Sequence, residues 1–163
     1  MAGDASHSPG LETVTAYLDD HGVAYEVIEH ERTLTAADEA RAANLPPEQV
    51  AKVVVLRDRD GYRLAVIPAA HRLDLHKVRD ALNATASLQL ATEEDMGRDF
   101  PQFEVGALPP LGPMLPAPEL LDGRLLEHSR VLCSAGDHRH GLLVDPKLLA
   151  EAAKAKVIDI CED

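Results

Sequence analysis

Apolar residues alternate or run together in several short segments of the chain, which predicts a set of β-strands. Residues 52–57 and 62–67 are the clearest pair, because both are rich in Val and Leu and the turn signal Asp60-Gly61 lies between them. We therefore expect a β-hairpin there. Further strands are expected at residues 25–29, 131–134 and 140–144, with shorter ones at 88–91 and 157–160.

Other apolar residues recur at helical spacing behind capping residues. Leu11, Val14 and Leu18 follow Ser8-Pro9, which combines an N-cap with proline at the first helical position, and Gly22 provides the stop. The same signals predict four more helices, which begin after Thr35, Asp74, Thr92 and Asp145 and reach residues 44, 82, 97 and about 154. Short strands mixed with helices, without strict βαβ alternation, predict an α+β fold with a mixed sheet.

Lys52 interrupts this pattern, because it is a lysine in an otherwise apolar strand. By strand alternation it shares a face with Val54 and Leu56, whereas Val53 and Val55 face the other way. Two interpretations are open. The side chain can run along the apolar surface to reach water at the strand end, or it can provide a point charge for a phosphate or a developing oxyanion.

The stretch GALPPLGPMLPAP, residues 106–118, holds five of the eleven prolines and two glycines. Proline lacks a backbone N–H and fixes φ, so this segment is expected to be a stiff loop and neither a helix nor a central strand. A loop of this length is either a surface connection or a functional element that presents backbone N–H and C=O groups at a pocket.

Length and composition predict one globular domain. We expect residues 1–8 to form a flexible N-terminus and residues 9–163 to form a single domain. Two cysteines without a CxxC motif, no apolar run long enough to span a bilayer and no signal-peptide pattern favour a cytoplasmic location without membrane contact.

The formal net charge is −12, which excludes a broad basic surface for nucleic acid. Seven of the sixteen basic residues nevertheless lie between Lys52 and Arg79. This basic segment is either a solvated face of mixed charge or the place where an anionic ligand is received.

No standard catalytic motif is present: the chain lacks GxSxG, a Walker A loop, GxGxxG and HExxH. His128, Cys133, His138 and His140 could form a metal cluster, but their spacing fits no usual zinc pattern. Cys133 lies in the apolar run VLCSA, where a buried structural cysteine is the ordinary interpretation and a nucleophile the less common one.

Three stretches together resemble one family: AKVVVLRDRDGYRLAVIPAAHRLDL, GALPPLG and SAGDHRHGLLVDPKLL. They are similar to the YbaK/ProX family of free-standing aminoacyl-tRNA deacylases, which are related to the editing domain inserted in bacterial prolyl-tRNA synthetases. The resemblance implies a mixed, barrel-like β-sheet flanked by helices, with no cofactor and no metal. It implies a catalytic role for Lys52 and substrate binding by the GxxxP loop and by a histidine near the late strands. The implied substrate-binding residues are Gly106, Ala107, Leu108, Pro109, Pro110 and His138, with His140 as the other candidate histidine.

The resemblance also implies a function. The protein is expected to remove a small wrong amino acid, such as Ala, Cys or Ser, from tRNA, most naturally proline tRNA, by attack of a positioned water on the ester. Its expected partners are the acceptor end of aminoacyl-tRNA and an aminoacyl-tRNA synthetase that carries it to the tRNA; the sequence predicts no oligomeric state.

One position departs from the family pattern. Many relatives have Ser where this chain has Pro109, which lacks both the hydroxyl and the N–H. The alternative is therefore a catalytically weak binding module of the same fold, holding an aminoacyl-adenosine-like ligand or a synthetase. A metal-dependent hydrolase using His128, His138 and His140 is a third hypothesis.

Overall fold

The computed structural model describes residues 8–84 and 87–163. Its α-helices are α1 (Pro9–Asp20), α2 (Ala36–Ala42), α3 (Leu75–Leu82), α4 (Glu93–Asp99) and α5 (Pro146–Ala152). Each begins where the sequence predicts, because a side-chain oxygen of the preceding residue accepts a hydrogen bond from a backbone N–H of the first turn. The capping residues are Ser8, Thr35, Asp74, Thr92 and Asp145.

Two predicted helix ends are wrong. Helix α4 does not stop at Gly97 but continues to Asp99, and the Phe100 N–H still bonds to the Met96 carbonyl. The Phe100 ring packs against Tyr62 with ring centroids 4.8 Å apart, so tertiary contact holds the last turn despite the glycine. Helix α2 ends before Asn44, which adopts a left-handed φ of 57°.

The predicted flexible segment, residues 1–8, lies outside the described residues except for Ser8. The Ser8 side chain caps α1 and donates a hydrogen bond to Asp137 Oδ2 at 2.6 Å. The start of α1 is therefore attached to the turn between the last two long strands.

The strands form two sheets. Their bounds are β1 (Tyr25–Glu29), β2 (Ala51–Asp58), β3 (Gly61–Pro68), β4 (Gln89–Leu90), β5 (Glu119–Leu121), β6 (Val131–Ser134), β7 (His140–Val144) and β8 (Lys156–Val157). One sheet has the order β1-β7-β6 and the other β4-β2-β3-β5-β8. The β3–β5 and β5–β8 pairs are parallel and the remaining pairs antiparallel, so the sheet is mixed as predicted.

The α+β class is confirmed, and the barrel-like sheet implied by the resemblance takes the form of two adjoining sheets. They meet where Val50, just before β2, forms a parallel bridge with Leu132 of β6. Short 3-10 helices occupy Pro47–Gln49, Gly112–Met114 and Gly123–Glu127.

The predicted β2–β3 hairpin is confirmed, with Lys52 opposite Ile67 at one end and Asp58 opposite Gly61 at the other. Strand β5 is a buried element that the hydrophobic pattern does not predict. The closing strand is also shifted, from the predicted 157–160 to Lys156–Val157. Past Val157 the Ile160 N–H bonds to a carboxylate oxygen of Asp122 instead of a neighbouring strand.

The five-stranded sheet separates two apolar clusters. Val55, Leu64 and Val66 belong to the larger cluster, which packs against α1 and α5. Leu56 and Ile67 belong to a second cluster that packs against α3. No helix among the described residues is both long and apolar enough to cross a bilayer.

Candidate active site

Lys52 lies where two cavities meet at the start of β2. The first, here called the polar cavity, has a volume of about 320 Å³. Its walls are Thr33, Leu34, Thr35, Ala36, Ala37, Glu39, Ala51, Lys52, Val53, Ala69, Gly106, Ala107, Ser134, Asp137 and His138. The loop between β1 and α2 thus faces β2 and the proline-rich loop across this cavity.

The second, here called the apolar cavity, has a volume of about 430 Å³. Its walls are Lys52, Val53, Val54, Val55, Leu73, Leu75, Leu90, Ala91, Met96, Gly106 and Leu108. Lys52, Val53 and Gly106 line both cavities and so mark the boundary between them.

The Lys52 side chain is exposed and has no ion pair or hydrogen bond with any residue in the described ranges. Its neighbours on the same face, Val54 and Leu56, belong to the α3 cluster as the alternation predicts. An unpaired ammonium group at the junction of two cavities can receive an anionic group from either of them.

Gly106 begins the proline-rich loop with a φ of +88°, a backbone conformation that side-chain-bearing residues rarely adopt. A Cβ added there would lie 3.4 Å from His138 Cε1. Within the described part of the chain, the N–H groups of Gly106 and Leu108 have no acceptor, whereas the Ala107 N–H bonds to the Glu104 carbonyl at 3.0 Å. The loop therefore leaves backbone donors free where both cavities meet.

The rest of the loop is packed inside the protein, so the surface-connection interpretation is wrong for residues 107–112, which are buried. Pro109 and Pro110 lie outside the lining of the two cavities. Of the predicted loop residues, Gly106, Ala107 and Leu108 line a cavity, whereas the two prolines are buried and line neither. The position that departs from the family pattern, Pro109, thus lies outside both linings.

His138 lines the polar cavity and supports the loop. Its Nε2–H donates to the Val105 carbonyl at 2.7 Å, and its own carbonyl accepts from the Thr33 N–H at 2.9 Å. The side chain is therefore held in place next to Gly106. His140, the other candidate, is buried on β7 with Nδ1 at 2.8 Å from Asp137 Oδ2, and it does not line either cavity.

Two acidic residues line the polar cavity, Glu39 and Asp137, and the sequence analysis predicted neither as a site residue. Burial alone would raise the pKa of Asp137, but hydrogen bonds from Ser8, the Arg139 N–H and His140 outweigh it and hold this pKa below its ordinary value. Glu39 pairs with His30, whose Nε2 lies 3.1 Å from Oε2. The available signal was the spacing of Ala36, Glu39, Ala40 and Ala43, which places Glu39 on the small apolar face of α2.

The metal and cysteine hypotheses find no support in the geometry. No group of three or more His, Cys, Asp or Glu side chains in residues 8–84 and 87–163 is arranged to hold a metal ion. Cys133 is 1% exposed, and burial raises the pKa of its thiol far above the ordinary value. A thiol that stays protonated is a poor nucleophile.

The basic segment does not form one surface. Arg57 pairs with Asp95 at 2.7 Å, and Lys77 pairs with Asp159 at 3.1 Å. The tip of the β2–β3 hairpin, which carries Arg59, is six residues and about 20 Å from Lys52 along the strand. Arg72 remains near the cavities, since it belongs to the loop between Ala69 of the polar cavity and Leu73 of the apolar cavity.

Known proteins are similar to this chain in sequence and in fold. A stretch of 78 residues is 33% identical to a proline–tRNA ligase of Fervidobacterium nodosum, covering 48% of this chain and 13% of that enzyme, so the chain spans only a small part of the relative's length. The fold is similar to a crystal structure described as a proposed trans-editing enzyme for prolyl tRNA synthetase, with 29% identity, a TM-score of 0.84 and coverage of 96% of this chain and 99% of that one. A structure from work on epitope grafting onto scaffold proteins is 26% identical, with a TM-score of 0.82 and the same coverage.

The sequence profile of the aminoacyl-tRNA editing domain matches residues 30–152, well over half of the chain. That range includes Lys52, the proline-rich loop and His138, which meet around the polar cavity. The chain therefore belongs to the aminoacyl-tRNA editing domain family.

Proposed function

We propose that the protein is an aminoacyl-tRNA deacylase that hydrolyses the ester of mischarged tRNA. One observation carries this proposal. The unpaired ammonium group of Lys52 and the free backbone N–H of Gly106 both lie at the boundary of the two cavities. Both groups stabilise negative charge.

The reaction needs no nucleophilic side chain, because an aminoacyl ester is already activated and a positioned water is sufficient. The water oxygen bonds to the ester carbonyl carbon, and the bond from that carbon to the ribose oxygen then breaks. The proton lost by the water ends on the ribose oxygen, so the products are a free amino acid and a tRNA with an intact terminal ribose. In this proposal the Gly106 N–H binds the carbonyl oxygen as it becomes negative. Lys52 holds the terminal phosphate or ribose region and shares that charge.

Each cavity binds a different part of the substrate. The polar cavity takes the aminoacyl group; its volume of about 320 Å³ is at the small end of ligand cavities, which span roughly 300–1,000 Å³. The apolar cavity takes the terminal base, since aliphatic walls suit a flat heterocycle better than a charged amino acid. Small amino acids such as Ala, Cys and Ser on proline tRNA are the proposed substrates, as the resemblance to the YbaK/ProX family implies and as the small volume of the cavity favours.

The acidic net charge limits contact with the body of the tRNA. We place the contact at the acceptor end, where Lys52 and Arg72 have no carboxylate partner among the described residues. A synthetase partner that delivers the tRNA remains part of this proposal, because two cations give little affinity for a polyanion.

A deacylation panel tests the proposal. Wild-type protein is incubated with Ala-, Cys-, Ser- and Pro-charged proline tRNA, with and without prolyl-tRNA synthetase. We expect at least one of the three mischarged species to be hydrolysed more than ten times faster than its spontaneous rate, with Pro-tRNA spared. Spontaneous rates for all four in both conditions would refute the deacylase and leave the binding module.

A further inference from the structure

Glu39 is a buried acid in the wall of the polar cavity. The residue is 7% exposed, and a buried carboxylate is costly unless a cation or hydrogen-bond donors accompany it. His30 provides that cation. Its Nε2 faces Glu39 Oε2 at 3.1 Å, its Nδ1–H donates to the Glu31 carbonyl at 2.7 Å, and its side chain is 2% exposed.

The hydrogen bond to Glu39 raises the pKa of His30, against an opposing effect of burial. Both ring nitrogens have an oxygen partner, so the doubly protonated ring is fully satisfied. The ring therefore lies between two oxygen acceptors and fixes the Glu39 carboxyl group at the edge of the cavity.

Three elements fix the position of the carboxylate. Helix α2 carries Glu39, whose backbone N–H bonds to the carbonyl of the capping Thr35 at 3.0 Å. His30 directly follows β1. On β7, Gly141 lies so close that an added Cβ would be 3.0 Å from Glu39 Oε2. Such a position does not depend on the ligand and is therefore preorganised.

One oxygen of this carboxylate is unused. Glu39 Oε1 accepts no hydrogen bond from a described residue, and it is not sealed from solvent. Asp137, the other acid of the cavity, is saturated: Oδ1 accepts from the N–H groups of Arg139 and His140, and Oδ2 from Ser8. Glu39 is the acid of this cavity that can accept a donor from a ligand.

We propose that Glu39 binds the α-ammonium group of the aminoacyl ester, with His30 as the residue that positions it. The inference rests on the proposed deacylase function. In an aminoacyl ester the ammonium lies one carbon from the carbonyl, and Glu39 and Gly106, which would bind these two groups, line the same cavity. The substrate class is then esters of free α-amino acids, and esters that lack the ammonium, such as α-hydroxy acyl or N-acylated ones, are disfavoured.

The test compares alanyl- and lactyl-tRNA, which differ only by the replacement of the ammonium with a hydroxyl. Each kcat/KM is divided by the spontaneous hydrolysis rate of the same ester, because the ammonium also activates the ester chemically. Wild-type protein is expected to favour the alanyl ester at least ten-fold. Glu39→Gln, which keeps the shape of the side chain, is expected to lose this preference by slowing alanyl cleavage and leaving lactyl cleavage unchanged. Glu48→Gln, an exposed acid after α2 with no partner in the described residues, is the matched control.

The outcomes separate the two claims. Equal normalised rates for both esters in the wild type, or an equal loss on both esters in Glu39→Gln, would overturn the role of Glu39 while the deacylase stands. If the protein cleaves neither of these esters and no other ester in the panel, both the deacylase function and this inference are refuted. If Glu39→Gln does not fold, the wild-type preference and the variant Glu39→Asp, expected to retain part of it, decide the question.

Discussion

The polar and apolar cavities share Lys52, Val53 and Gly106 but differ in every other lining residue. The polar cavity is lined by hydroxyl and carboxylate groups, such as those of Ser134 and Glu39. The apolar cavity is lined by aliphatic side chains and Met96. A ligand that fills both must be charged and polar at one end and flat or apolar at the other, which describes an aminoacyl group joined to a terminal nucleoside.

The start of β2 makes this difference possible. Ala51 lines the polar cavity, Val54 and Val55 line the apolar cavity, and Lys52 lies between them on the same strand. One short strand thus passes from one chemistry to the other within a few residues. Variants on either side should separate acyl recognition from base recognition, and variants at the boundary should affect both.

The boundary lysine is expected to give the largest effect. Lys52→Ala should reduce kcat/KM for mischarged tRNA about 10²- to 10³-fold, the cost of removing one donor to a developing oxyanion. Lys147→Ala, which removes an exposed lysine on α5, is the control and should leave activity unchanged. Wild-type activity in Lys52→Ala would show that Lys52 does not contribute to catalysis.

Gly106→Ala tests the backbone donor at the same boundary. The left-handed φ of +88° and the 3.4 Å approach to His138 Cε1 should shift the loop, lowering kcat roughly 30-fold for about 2 kcal/mol of strain. Gly22→Ala carries a similar strain at φ +70°, with nothing within 4 Å of an added Cβ, and Gly22 lines neither the polar nor the apolar cavity, so the variant should lower the melting temperature but not kcat. Equal kinetics in the two variants would show that Gly106 has only a structural role and that its N–H does not contribute to catalysis.

His30→Gln disturbs the polar cavity alone and should show its effect in stability. Because the hydrogen bond to Glu39 raises the pKa of His30, the pair stabilises the fold fully below the ordinary pKa of 6.5 and loses this contribution as pH rises through the raised value. The variant should be about 2 kcal/mol less stable than wild type at pH 6, and the gap should narrow toward pH 9. His76→Gln, at an exposed pair with Asp80, is the control for urea unfolding across this range. A difference in unfolding free energy between wild type and His30→Gln that does not change with pH would contradict an ion pair between His30 and Glu39.

Leu90→Ser disturbs the apolar cavity alone. Leu90 is 62% exposed at the cavity wall, and losing its contact with the base should cost about 1 kcal/mol, or roughly a five-fold rise in KM with kcat unchanged. The exposed Leu148 of α5 provides the control variant Leu148→Ser. The alanyl-to-lactyl preference should stay intact in Leu90→Ser, whereas a change in that preference would mean that the cavities do not divide the substrate.

Arg72→Ala is expected to have the smallest effect. If Arg72 contacts one phosphate of the acceptor end, its removal should raise KM a few-fold for every charged tRNA and reduce the slope of log KM against log salt by about 1. An unchanged slope would place the phosphate contacts elsewhere. Arg59→Ala, at the distant hairpin tip, should leave the slope as it is.

Local signals predicted much of this fold. The β1, β6 and β7 bounds and all five helix starts follow from short apolar runs and capping chemistry, which operate within a few residues. Strand β5 was missed because it is only three residues long, directly follows the proline-rich loop and is placed by parallel pairing with β3. Such pairing depends on distant parts of the chain and leaves no local pattern.

The site was only partly predictable for the same reason. Lys52 and the glycine of the proline-rich loop stood out because each breaks a local rule. Glu39 and His30 did not, since a glutamate in the first turn of a helix and a histidine in a charged loop are ordinary surface residues. Their burial and pairing come from α2 packing beside β7 at Gly141, a contact between segments about one hundred residues apart.

The division of the substrate between the cavities can be measured with two ligands by backbone amide NMR. Adenosine should shift the amides of Leu90 and Ala91 in the apolar cavity and leave those of Ala37 and Glu39 unchanged. The amide-linked analogue 3′-alanylamino-3′-deoxyadenosine, which cannot be hydrolysed as an ester, should shift both sets and that of Gly106. Shifts from the analogue that avoid the polar cavity, or adenosine shifts confined to it, would contradict the account.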